Sequence, residues 1–131
     1  MLLMKPTSRA PRPAASHRDL IVWQKAMDLA EEVYRASRGL PASERFGLVH
    51  QMRTAAVSIA SNIAEGKGRN QPRDYARFLA MARGSARELD THLGIARRLK
   101  YLRDDSPAVA EQLLDEVGRM LTALMRRLTP L

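Results

Sequence analysis

Cysteine is absent from this 131-residue chain, which excludes a disulfide framework, a thiolate metal site and a cysteine nucleophile. Aromatic residues make up only 5% of it, so there are few side chains on which nucleic-acid bases could stack. No uncharged apolar run approaches the roughly 18 residues of a membrane span. Leu2-Leu3-Met4 is too short for the apolar core of a secretory signal, and the expected compartment is the cytoplasm. Acids are also in deficit, with 14 Asp and Glu against 22 Lys and Arg. The net charge of +8 will attract polyanions without specifying one. An arginine-rich surface with no partner has the same composition, so a nucleic-acid role and an incidental one both stay open.

What is present forms helix. Alanine, leucine and arginine dominate, and the length suits one domain with a proper core. Residues 1–18 carry three prolines and Lys5, Arg9, Arg12 and Arg18 but no acid. They read as a disordered basic arm, either a tether for an acidic partner or a solvated tail. Residues 19–131 read as all-α, an up-down-up-down antiparallel four-helix bundle with helices at about 20–38, 43–65, 72–102 and 107–128. Asp19 is the expected N-cap of the first helix and Trp23 its core anchor. Pro72 and Ser106-Pro107 mark the starts of the third and fourth. In the third, Tyr75, Leu79, Ala82, Ala86, Leu89, Leu93 and Ala96 step alternately by four and three, a sustained seam.

The organising stretch is residues 51–70. Its apolar residues share one face, but Thr54, Ala55, Ala56, Ser58, Ala60, Ser61 and Ala64 keep the helix thin, so a neighbouring backbone can come close. Gly66 is expected just past the helix end in the left-handed conformation. Gly84-Ser85-Ala86 is the expected facing surface on the third helix. Asn62 and Glu65 are assigned to buried hydrogen bonds between the second and third helices. The fourth helix has a wide apolar stripe, whose surplus Leu114, Leu121 and Met125 fit either a subunit interface or a broad core face.

Four blocks then fall in order: Leu20-Ile-Val-Trp23-Gln-Lys-Ala26, Pro41-x-x-Glu44-Arg-Phe-Gly47-Leu48, Ser58-Ile-Ala-Ser-Asn-Ile-Ala-Glu-Gly66, and Arg77-Phe-Leu79 through Gly84-Ser85 to Glu88-Leu89. Together they resemble the bacterial 23S rRNA intervening-sequence proteins over about residues 19–102. Ala60 stands where many relatives have proline, and Thr54 where a second basic residue is common. The resemblance implies a small cytoplasmic bundle assembled as a homopentameric ring, with no established molecular activity for most members. It also implies relatives that bind nucleic acid and work with a reverse transcriptase in diversity-generating retroelements.

Chemistry beyond binding finds little support. Gly66-Lys-Gly-Arg-Asn70 is similar to a phosphate loop but lacks both the preceding strand and the Gly-Lys-Ser/Thr ending. No Glu-x-x-His occurs, Glu88 and His92 supply two metal ligands at best, and no Ser-His-acid arrangement is recognisable. Neither an enzyme nor a cofactor or metal is expected. For RNA or DNA, the candidate contacts are Lys67, Arg69, Arg73 and Arg77, and a second cluster of Arg97, Arg98, Lys100 and Arg103. Arg83 and Arg87 fit a structural ion pair with Glu65 or Glu88 better. The competing class is a structural or protein-interaction module with no nucleic-acid role.

Overall fold

A computed structural model describes residues 16–103 and 107–129. Those residues form four helices: α1 (Ile21–Ser37), α2 (Leu48–Lys67), α3 (Pro72–Arg98) and α4 (Ala108–Leu128). Short 3-10 turns at His17–Asp19 and Ala42–Glu44 precede α1 and α2. Successive helices run antiparallel, and α4 packs back on α1, so the four close around one core. Among the described residues there is no strand, and no helix is long and apolar enough to cross a membrane.

The core is drawn from every helix. Leu29 and Val33 of α1, Met52, Ile59 and Ile63 of α2, Leu79 and Leu89 of α3, and Val117 and Leu121 of α4 are fully buried. Each large side chain needs space, and the alanines between them supply it. The α2–α3 contact is the most extensive in the bundle, and Ala55, Ala56 and Ala60 of α2 and Ala82 and Ala86 of α3 are all buried, which keeps both helices thin. Across that seam the Ser58 and Ser85 hydroxyls hydrogen-bond at 2.9 Å. The Asn62 amide donates to the Ser58 carbonyl and hydroxyl at 2.9 and 3.0 Å. The Asn62 bonds thus stay within α2 instead of making the expected crossing to α3, and the Ser58–Ser85 pair is the hydrogen bond that bridges the two helices there. Trp23 is half-buried against the core, edge-on to the His17 ring.

Several expected boundaries move. Part of the expected arm, residues 16–18, is ordered: Ser16 caps the first 3-10 turn in a reciprocal box with Asp19, and Leu20 occupies the N-cap of α1. Residues 1–15 lie outside the described residues, as does Ser106. Pro107 is the N-cap of α4, one position earlier than its expected role. Helix α2 starts at Leu48, not Ser43, because Glu44 folds back. Its carboxylate accepts from the Leu48 N–H at 3.1 Å and from the Tyr101 hydroxyl at 3.2 Å. That contact ties the start of α2 to the segment after α3. Helix α3 stops at Arg98 because Lys100 adopts φ 60°, letting the Tyr101 N–H bond back to the Ala96 carbonyl at 2.9 Å.

Two glycines depart from their expected roles. Gly66 lies inside α2 and is buried, and no described glycine has positive φ. A methyl group there would sit 2.9 Å from the Phe78 Cβ and 3.1 Å from the Tyr75 carbonyl oxygen. Gly66 is therefore a point where α3 presses directly on α2. Gly84, the expected close-packing residue, is exposed with nothing within 4 Å of its would-be Cβ, and the contact passes to Ser85 and Ala86 beside it. Glu65 is likewise corrected: it is exposed and pairs with Arg69 at 3.0 Å instead of bonding to α3. Leu121 and Leu114 are 0% and 7% exposed within the single chain. Both belong to the broad core face, since α4 must cover α1 and α3 together. Met125 is only half-buried beside them.

Candidate nucleic-acid interface

The loop between α2 and α3 is four residues long, and it gathers the first basic cluster at one corner of the bundle. Lys67 ends α2, Arg69 follows in the turn, and Arg73 and Arg77 occupy the first two turns of α3. Phe78 organises two of them: the Arg69 and Arg77 guanidinium groups each lie 4.6 Å from its ring centre. Each is also held by a local carboxylate, Arg69 by Glu65 and Arg77 by Asp74, both at 3.0 Å. Half of the corner's positive charge is thereby matched. Lys67 and Arg73 have no ion pair among the described residues. They remain the cations available to an outside anion.

The second cluster sits at the opposite end of α3. With 27 residues in that helix, the two clusters are separated by about 40 Å. Arg97 grips Glu111 of α4 through two hydrogen bonds of 2.7 and 2.9 Å. This pairing holds the Glu111 carboxyl below its usual range. Arg97 thus serves the α3–α4 contact. Arg98, Lys100 and Arg103 project into solvent without an ion pair among the described residues.

Arg83 and Arg87 take neither of the partners expected for them. They line a groove of about 540 Å³ between α3 and α4, where Arg83 reaches the Thr122 hydroxyl at 3.4 Å. Ala86, Gly118 and Ala123 leave that groove open, and Asp90, Asp115 and Glu111 line it too. Its charges largely cancel. A smaller groove gathers His50, Glu88 and His92 on the α2–α3 face. His92 is buried with Nδ1 unpartnered, and burial lowers its pKa while Glu88 opposes the shift. The side chains do not converge: no group of three or more described His, Asp or Glu residues is placed to hold a metal ion.

One residue that sequence reasoning passed over stands out. Phe46 is 86% exposed, in the turn between Glu44 and α2. Tyr34, Val49, His50, Arg53 and Val57 surround it in a groove of about 430 Å³. Arg45 stacks near the Phe46 ring, and Arg53 lies 4.5 Å from the ring centre of Tyr34. Arg53 is fixed there by hydrogen bonds to the Ser37 hydroxyl and the Tyr34 carbonyl at 2.8 and 3.4 Å. The available signal was Arg45-Phe46-Gly47, whose glycine keeps the phenylalanine off the helix.

Comparison with known proteins agrees with the four-helix fold. A family model described as 23S rRNA-intervening sequence protein matches residues 18–123. Among solved structures, a Bacteroides thetaiotaomicron VPI-5482 protein of unknown function from the S23 ribosomal protein family superposes with a TM-score of 0.75 at 20% identity. The match covers 81% of this chain and 99% of that one, and at that identity it speaks for the fold alone. No functionally curated protein matches.

Proposed function

We propose that this chain, which belongs to the 23S rRNA-intervening sequence protein family, is a non-enzymatic, self-associating bundle of the cytoplasm that binds nucleic acid through phosphate contacts. The observation that carries the reading is charge left unmatched at both ends of one helix. Lys67 and Arg73 flank its start, and Arg98, Lys100 and Arg103 follow its end, none with an ion pair among the described residues. Such cations gain by displacing counterions from a polyanion. Two guanidiniums of the first cluster already lie against the Phe78 ring, and Tyr75 is partly buried against the core. Recognition is accordingly of backbone charge, with weak preference among sequences. A ring of copies repeats each cluster and raises avidity without new contacts.

The test is affinity for a short labelled RNA, followed by fluorescence anisotropy between about 50 and 200 mM salt. Affinity should fall steeply with salt. Lys67→Ala combined with Arg73→Ala should reduce the logarithmic slope by about two per site. Absence of binding at the lowest salt removes the nucleic-acid role.

A further inference from the structure

We infer that the exposed Phe46 groove docks onto an acidic groove between α1 and α4 of a second copy of this chain. The inference rests on the self-association proposed above and assigns its surfaces. On the donor side, Phe46 projects almost wholly into solvent beside Tyr34 and Val57, which are 40% and 46% exposed. Arg45, His50 and Arg53 line the same groove, and no carboxylate is among its described lining residues. On the acceptor side, Asp28, Glu31, Glu32 and Arg35 of α1 face Val109 and Leu113 of α4 across a groove of about 350 Å³. Arg35 satisfies both Glu31 and Glu32. Asp28 has no ion pair, and neither has Arg45, among the described residues. Val109 is 51% exposed. One surface offers an aromatic knob with cations, and the other an apolar cleft with an acidic rim.

Placement makes the two surfaces usable together. Both lie at the end of the bundle where α1 finishes: Tyr34 contributes to one, while Glu31, Glu32 and Arg35 contribute to the other. Parallel copies therefore bring them level. The grooves occupy adjacent faces of the bundle, one between α1 and α2 and the other between α1 and α4. Such faces meet at roughly a right angle in a four-helix bundle. A contact between unlike faces repeats head to tail, and with that turn it closes after about four or five copies. Phe46 enters against Val109 and Leu113, and Arg45 reaches Asp28. Burying the ring removes from water the largest exposed apolar side chain of the described residues.

Light scattering after gel filtration tests this, using the full chain and two monomer-seeking variants. The first combines Arg45→Glu with Phe46→Ser, and the second combines Asp28→Asn with Val109→Ser. Circular dichroism checks that both keep their helix. Wild type should run at a multiple of the protomer mass, and each variant as a monomer at the same concentration. Mixing the variants should give a one-to-one dimer and nothing larger, because each retains one intact surface. A dimer of this kind is the signature of unlike faces in contact. Variants that keep the wild-type mass would place the interface elsewhere and overturn the inference while leaving self-association standing. A monomeric wild type overturns both. A Phe46 variant that loses RNA binding with its mass unchanged assigns the ring to nucleic acid and also overturns the inference.

Discussion

Replacing Gly66 with alanine tests the close approach of α2 and α3 directly. The new methyl would lie 2.9 Å from the Phe78 Cβ, 3.0 Å from Tyr75 Cδ1 and 3.1 Å from the Tyr75 carbonyl oxygen. Only the Tyr75 ring can turn aside. The Phe78 Cβ and the Tyr75 carbonyl are fixed to the frame of α3, so the helices themselves must part. Overpacking of this kind costs about 1–3 kcal/mol, and more where no side chain can rotate away. Alanine returns about 1 kcal/mol in helix propensity, since Gly66 lies within α2. With the Phe78 Cβ and the Tyr75 carbonyl unable to rotate away, the cost lies at the upper end of that range, and the net expectation is a loss of about 2 kcal/mol. Gly84→Ala is the matched control. It sits inside α3 with nothing within 4 Å and should gain about 0.5–1 kcal/mol. Urea denaturation followed at 222 nm reads both, with the slope checked for two-state behaviour. A Gly66→Ala protein as stable as wild type would refute the close contact, whatever Gly84→Ala does.

Two further outcomes follow from buried polar groups. Ser58→Ala strips a hydrogen-bond partner from Ser85 and from the Asn62 amide and should destabilise by about 1–2 kcal/mol. Adding Ser85→Ala should cost less than the sum of the single changes, by about 0.5 kcal/mol or more in a double-mutant cycle; strict additivity would mean the hydroxyls do not interact. His92 has its pKa lowered by burial, with Glu88 opposing. The unfolded chain therefore binds the proton more readily than the folded one. Stability should be full above the unfolded value near 6.5 and decline as pH falls from there toward the folded pKa. Denaturation midpoints across that range should flatten in His92→Gln, and an unchanged slope would show that another group titrates.

The bundle is legible in the sequence because helix periodicity needs no partner to be read. Leu79, Ala82, Ala86, Leu89, Leu93 and Ala96 are all buried in α3 as their spacing predicts. What the spacing cannot carry is who sits opposite. Gly66 has the local look of a helix stop, but its function depends on Tyr75 and Phe78 one helix away. Glu44 delays α2 through a bond shared with Tyr101, 57 residues distant. Lys100 takes a left-handed conformation that glycine usually signals. Glu65 sits among small residues in the chain and still faces solvent, since the seam side of α2 is held by Ile59 and Ile63. The basic clusters are readable as composition. Their division into paired and unpaired cations depends on side chains that only the fold brings near, above all Glu111 at Arg97.

The two proposed surfaces constrain each other. Docking at Phe46 takes up Asp28 and its neighbours, so the acids of α1 face cations of the next copy. The unmatched cations at Lys67 and Arg73, and at Arg98, Lys100 and Arg103, belong to the α2–α3 corner and the end of α3. Those positions lie outside both grooves. Assembly would therefore match acids with cations at each seam and leave these other cationic clusters free, repeating them around the ring. A net charge of +8 per chain opposes such crowding through self-repulsion. The opposition is relieved by a polyanion that spans several copies. RNA should then stabilise the assembly, and assembly should tighten RNA binding by the same factor, as linkage requires. A Phe46→Ser, Val109→Ser variant isolates that coupling: it leaves every proposed phosphate contact and the net charge in place, and should bind RNA more weakly because its copies are separate.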